Sequence, residues 1–278
     1  MKKVNLLFVF LFVFLFSTSA QSLQALWASE AVFRVPESVF YNPKTQQIYV
    51  SNINGKPDVK DHNGFISKLD KDGKVVELAW VKHLDAPKGM ALKGDNLYIS
   101  DIHRLVKINV QTGRVIRRYK ADSARFLNDV VVDSAGNVYV TDSRLGAIFR
   151  LHHGQFTLWK KSSLLTGANG LAIEKGKLMV GVRGYLLCID PLMQSLTIQV
   201  KNKGGIDGLI PLGNRRYLVS DWAGKIQIIQ QGKAPVVLRN TTRQKINAAD
   251  LGYISDEKIV LIPTFYDNRV VAMKLIGD

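Results

Sequence analysis

Six short segments place a polar or charged residue where an apolar run begins. They are Pro36-Glu37-Ser38, Pro87-Lys88-Gly89, Leu127-Asn128-Asp129, Ala168-Asn169-Gly170, Ile206-Asp207-Gly208 and, last, Ala249 beside Asp250. Brought together, Glu37, Asn128, Asn169 and Asp207 would give two carboxylates and two amide oxygens, a hard oxygen site. No thiolate or histidine stands at these points, which argues against structural zinc or copper. Completed by water, the set suits calcium best, then magnesium or manganese. Carboxylates gathered without a cation would raise one another's pKa, so a bound divalent metal is the simpler account. Lys88 has two readings: it repels a cation, or it points up to meet an anionic substrate. Asn-Gly and Asp-Gly are also ordinary turn dipeptides; recurrence at equivalent places is what singles these out.

Residues so far apart can meet only if the chain repeats. A strand ending in a β-rich pair, a small residue and a polar one occurs as Tyr49-Val50-Ser51-Asn52, Tyr98-Ile99-Ser100-Asp101, Tyr139-Val140-Thr141-Asp142 and Leu218-Val219-Ser220-Asp221. Weaker copies are Met179-Val180-Gly181-Val182 and Leu261-Ile262-Pro263-Thr264, and the six copies end 49, 41, 40, 39 and 43 residues apart. An apolar strand precedes each copy and two more follow, separated by turn signals such as Asp72-Gly73 and Thr112-Gly113. Four short strands per repeat make a propeller blade. The expected fold is therefore all-β: one six-bladed β-propeller of four-stranded blades over residues 21–278. Its innermost strands run along the axis, so the six starts meet in a small circle. The last repeat lacks a strand, and Gln24 to Val35 is expected to supply it and close the ring, removing an open edge.

Loops between second and third strands share the face of these starts and form a rim, carrying His103, Arg144, Arg183, Trp222 and Tyr266. Arg144 and Arg183 suit a carboxylate or polyhydroxyl substrate; Trp222 and Tyr266 suit stacking on a sugar. The longest rim loop, Asn54 to Asn63, carries Lys56, Asp58, Asp61 and His62. It reads equally as a lid over the site or as a solvated insertion.

Met1-Lys2-Lys3, the apolar run Leu6 to Phe16 and the small residues Ser17 to Ala20 read as a signal peptide cleaved near Ala20. Export to the periplasm or medium is expected. The apolar run is shorter than the roughly 20 residues a spanning helix needs, and no cysteine stands at the cleavage site to take a lipid anchor. The single cysteine, Cys188, sits in the apolar stretch Tyr185 to Ile189 and reads as a buried strand residue. The formal charge of +15 becomes +13 once Lys2 and Lys3 leave. Its basic residues are scattered, with no nucleic-acid module among them, so nucleic acid is not an expected partner. Anionic carbohydrate, lipopolysaccharide or an anionic substrate remains, beside a merely solubilising surface. There is no Gly-x-Ser-x-Gly, His-Glu-x-x-His, P-loop or dinucleotide glycine fingerprint, which disfavours serine hydrolysis and nucleotide chemistry. His152-His153 fall beside Gly154 in an outer hairpin.

Through Glu37 opening the first inner strand, Arg125-Phe126-Leu127-Asn128-Asp129, Ala168-Asn169-Gly170 and Ile206-Asp207-Gly208, the chain resembles the regucalcin/gluconolactonase (senescence marker protein) family over almost all of residues 21–278. The resemblance implies metal ligands at Glu37, Asn169 and Asp207, with Asn128 close to metal or substrate. It implies hydrolysis of sugar lactones and related esters with a divalent metal, calcium first, with Mg2+, Mn2+ or Zn2+ as alternatives. Two departures stand out. The family has Glu-Gly-Pro at the first ligand, where this chain has Glu37-Ser38-Val39, and its substrate-facing arginine lies two before the asparagine, whereas Arg125 lies three before Asn128. The expected function is an exported metal-dependent lactone or ester hydrolase acting on a small molecule. In it Asp207 accepts a proton from attacking water, and Asn128, Arg125, Lys88, Arg144, Arg183, Trp222 and Tyr266 face substrate. The alternative is a non-catalytic propeller that keeps the metal for rigidity and binds a ligand or a protein partner.

Overall fold

Alternating and fully apolar runs of five to seven residues bury best as short strands, and the chain resolves into six antiparallel four-stranded sheets arranged in a ring. The computed structural model describes residues 21–277; the signal-peptide reading of residues 1–20 lies outside the described residues. Among the described residues no helix is long and apolar enough to cross a membrane.

The inner strands of blades one to six are Pro36–Asn42, Pro87–Lys93, Leu127–Val132, Leu171–Glu174, Leu209–Gly213 and Gly252–Ile254. All six copies of the repeated tetrapeptide lie at the ends of the second strands, which are buried almost throughout. Six apolar clusters fill the six blade interfaces. Ala91, Tyr98 and Leu105 of blade two, for example, pack against Leu127, Val140 and Phe149 of blade three. Burying such side chains contributes about 1.5–3 kcal/mol each for the larger ones.

The tetrapeptide is a fastening as well as a strand end. Thr141 Oγ1 accepts the Asp129 amide at 3.0 Å in its own blade and donates to Asn169 O of the next blade at 3.0 Å. Ser220 does the same, with the Gly208 amide and Ala249 O both at 2.7 Å, and Ser100 donates to Asn128 O. In blade four Gly181 replaces the hydroxyl residue because a Cβ there would lie 2.6 Å from Ile206 Cβ of the next blade. The Gly170 amide, which a hydroxyl would otherwise take, bonds Ile206 O of the next blade directly at 3.1 Å.

In blades one to three the polar fourth residue holds the segment that enters its own blade's inner strand. Asn52 accepts the Arg34 amide at 2.9 Å, Asp101 those of Asp85 and Ala86 at 3.0 and 2.8 Å, and Asp142 those of Arg125 and Phe126 at 2.7 and 3.1 Å.

Ring closure is by main-chain pairing: Ser22–Ala28 forms the outer strand of blade six, antiparallel to Val270–Ile276. This strand ends before Val35, the limit expected from sequence. Ser29 bonds Val270 through its amide, its carbonyl takes the Arg269 guanidinium at 2.7 Å, and the chain then leaves the sheet.

Candidate functional site

At one end of the channel Glu37, Lys88, Asn128, Asn169 and Asp207 line a single cavity of about 230 Å3. Close packing of the inner strands places them there. A Cβ on Gly89 would lie 2.6 Å from Asp129 Cα, one on Gly170 2.5 Å from Asp207 O, and one on Gly208 would strike the Leu251 backbone. None of these three glycines has a positive φ. The Lys-Gly, Asn-Gly and Asp-Gly pairs are thus contact points between neighbouring blades rather than turns. Blade one carries Ser38 instead of glycine. Its hydroxyl donates to Asp250 Oδ2 at 2.5 Å, and the Asp250 amide bonds Glu37 O at 3.0 Å, joining the last blade to the first.

Glu37, Asn128 and Asp207 are each about 5 % exposed (6 %, 5 % and 4 %) and Lys88 is 1 % exposed. Asn169 Nδ2 donates to Asp207 Oδ1 at 2.6 Å, which turns the amide oxygen away from Asp207. Glu37 Oε2, Asn128 Oδ1 and Asn169 Oδ1 are buried without a hydrogen-bond partner. The Lys88 ammonium is held by Ala86 O and Pro57 O, both at 2.9 Å, and lies 4.5 Å from the centre of the Phe126 ring.

Burial dominates the electrostatics. It pushes Asp207 up to about 8, with Asp250 adding to the rise and Asn169 opposing it, and it pushes Asp250 up to about 7. Glu37 is raised well above its usual range by burial and then by Asp207, with Lys88 opposing. Asp129 is raised by burial, then by Asp250 and Glu37. Burial likewise lowers Lys88 to about 8, with Glu37 the main opposing charge. Among the described residues no three His, Cys, Asp or Glu side chains group as a metal site; at the channel mouth the remaining oxygens come from amides. All are hard donors without thiolate, so the set fits a divalent cation of the calcium type.

Trp222 and Tyr266 stand in the cavity wall, as their rim positions imply, joined by Ile53, Pro57, Phe126 and Phe265. The three predicted arginines do not line it. Arg125 is exposed, with its amide fixed by Asp142, and the next residue, Phe126, takes the wall. Arg144 is paired with Asp58 at 2.7 Å and lies over Phe126, and Arg183 is exposed. His103 is half-buried and outside the cavity. The Asn54 to Asn63 loop contributes Pro57 to the wall and is tied to blade two by Lys88 and to blade three by Arg144. Of the other sequence expectations, Cys188 is buried with its thiol pushed up by that burial, and His152 and His153 are exposed. Asp129 and Asp250, not among the expected site residues, line a second cavity of about 350 Å3 further along the inner strands, walled by residues such as Val39, Leu171 and Leu251.

No protein-family model matches the chain, and no curated protein does. Solved structures do. A streptogramin B lyase matches at TM-score 0.64 and 12 % identity over 92 % of this chain and 97 % of that one. An auxiliary nutrient binding protein from Bacteroides thetaiotaomicron matches at 0.66 and 11 %, over 87 % and 69 %. A catalytically inactive virginiamycin B lyase from Staphylococcus aureus with quinupristin matches at 0.58 and 15 %, over 92 % and 99 %. At these identities the likeness is one of fold, and the fold is the propeller.

Proposed function

We propose that the channel mouth binds one divalent cation, calcium by donor type, and that the chain hydrolyses a lactone or related ester there. One observation carries this reading: Glu37 Oε2, Asn128 Oδ1 and Asn169 Oδ1, three buried oxygens without partners, border the same cavity as Asp207. An unsatisfied buried polar atom costs about 1–3 kcal/mol, and acceptors gathered without donors favour a cation among them. The positions that the regucalcin/gluconolactonase resemblance implies as ligands, Glu37, Asn169 and Asp207, are among these cavity residues, which supports the same reading.

When bound, such a cation supplies Lewis-acid polarisation of a carbonyl oxygen and acidifies water. The protein's own residues do the rest. Asn169 fixes one oxygen of Asp207 through its amide N–H, and Asp207 is the carboxylate placed to accept a proton from attacking water. Lys88, with two of its three N–H groups on carbonyls and its ammonium beside the Phe126 ring, balances Glu37 and holds Pro57 across the mouth. The aromatic wall gives the reacting carbonyl an apolar flank. Export of the mature chain, read from residues 1–20, belongs to the same proposal.

The test is a panel of aldonolactones, aryl lactones and aryl esters assayed with calcium, with manganese and with chelator, alongside Asp207→Ala. Turnover that needs the cation and disappears in Asp207→Ala is expected. Tight cation binding with no turnover on any member would leave a non-catalytic binding propeller.

A further inference from the structure

We infer that the ligand of this cavity presents an apolar, ring-shaped face, best an aromatic one, and is not a polyhydroxylated sugar. The inference takes only the place of the reacting carbonyl from the hydrolase reading; the shape and chemistry of the walls carry the rest.

Above the oxygen-bearing floor the walls are Ile53, Pro57, Phe126, Trp222, Phe265 and Tyr266. Three of these rings form one cluster: Trp222 to Phe265 at 5.5 Å, Phe265 to Tyr266 at 4.8 Å and Trp222 to Tyr266 at 6.0 Å, all near perpendicular. Trp222 is 44 % and Tyr266 63 % exposed, so two large aromatic surfaces stand open to solvent at the mouth. Grouped apolar exposure of this kind marks a binding surface, and a mostly apolar cavity with a few convergent polar groups is the usual form of a small-molecule site.

The polar inventory is concentrated on the floor and disfavours a sugar against the walls. The floor oxygens accept but donate little, and Asn169 Nδ2 is spent on Asp207. Lys88 is engaged by Pro57 O and Ala86 O. Arg144 faces Asp58, and neither Arg125 nor Arg183 reaches the wall. Beyond those that reach the floor oxygens, the hydroxyls of a sugar lactone would meet walls where only the Trp222 indole N–H and the Tyr266 hydroxyl can bond them, each one left unpaired weakening binding roughly tenfold. An aromatic lactone has no such groups. Its ring meets the edges and faces of Trp222 and Phe265 in the geometry aromatic pairs favour. Size agrees: a cavity of about 150 Å3 holds benzene, and about 230 Å3 leaves room beside such a ring for one ester group over the floor.

The experiment compares two lactones of equal heavy-atom count, phthalide and ribono-γ-lactone, by calorimetric titration into the calcium-treated full chain, with turnover measured separately. Phthalide is expected to bind at least about tenfold more tightly, and Trp222→Ala to weaken it at least about fivefold while calcium affinity is unchanged. Equal or tighter binding of ribono-γ-lactone, no binding of phthalide, or indifference to Trp222→Ala would each overturn the inference. Phthalide bound but not hydrolysed, or bound without any calcium uptake, upholds the apolar-ring inference and instead refutes hydrolysis or the cation.

Discussion

Replacing Thr141 by valine keeps the volume of a fully buried side chain and removes one hydroxyl. That hydroxyl accepts the Asp129 amide and donates to Asn169 O, each at 3.0 Å, so Thr141→Val strands a donor in blade three and an acceptor in blade four. An unsatisfied buried group costs about 1–3 kcal/mol, so the pair should cost about 2–6 kcal/mol. Thr141→Ser keeps both bonds and loses one methyl, about 0.8 kcal/mol. Against a total stability of about 5–15 kcal/mol for a domain, the difference is readily measured. Urea unfolding is the assay, read as the midpoint at constant slope. Because the two stranded groups belong to the segments that carry Asn128 and Asn169, calcium affinity should fall in Thr141→Val and hold in Thr141→Ser. If the two variants unfold within about 0.5 kcal/mol of each other, an amount usual for neutral changes, the hydroxyl does not fasten the blades and the positioning argument fails.

The channel carboxylates make a pH prediction. Asp207 at about 8 and Asp250 at about 7, with Glu37 and Asp129 also raised, bind protons more tightly in the folded chain than in the unfolded one. Stability of the chelator-treated protein should therefore fall as pH rises from about 4 toward 8. Lys88, lowered to about 8, acts in the opposite sense and only above that pH. A cation competes with those protons, so calcium should raise Tm more at pH 8 than at pH 5 in scanning calorimetry, and a calcium effect independent of pH would speak against it. Gly208→Ala, which drives a Cβ into Leu251, should cost about 1–3 kcal/mol. Gly205→Ala has nothing within 4 Å and should be neutral in the same unfolding assay. Deleting residues 21–35 exposes the edge of Val270–Ile276, and size-exclusion chromatography should then show association with a lowered Tm; an unchanged monomer would contradict closure by this strand.

Much of the fold was legible because the blade repeat carries its fastening in the same four residues that mark it. Reading Ser51-Asn52 or Thr141-Asp142 as a strand end located every second strand. Their bonding role is hidden, since the partner groups lie a dozen or more residues away, in the inner strand, in the loop before it or in the next blade. The inner-strand starts were found for the same reason as the repeat: a polar residue at the edge of an apolar run has few uses except at the axis. The glycines beside them were ambiguous, because a turn and a close approach both demand glycine and only the backbone conformation separates the two. The rim was read least well. Whether Arg125 or Phe126 faces the cavity depends on how Asp142 grips both amides, a long-range contact that spacing does not reveal. Phe265 enters the wall from a short helical turn with φ of 52°, a conformation a phenylalanine gives no local sign of adopting. Asp129 gives no separate signal in the sequence, since Asn128 already occupies that blade's position.

Calcium titrated calorimetrically into the chelator-treated chain, and into Glu37→Gln and Asp207→Ala, bears most directly on the shared oxygen site. One ion per chain is expected, with affinity reduced more than about tenfold by either substitution, as the loss of a charged ligand requires. Heat of binding that is absent from the unaltered chain, or that survives both substitutions undiminished, would mean these side chains do not hold a common cation.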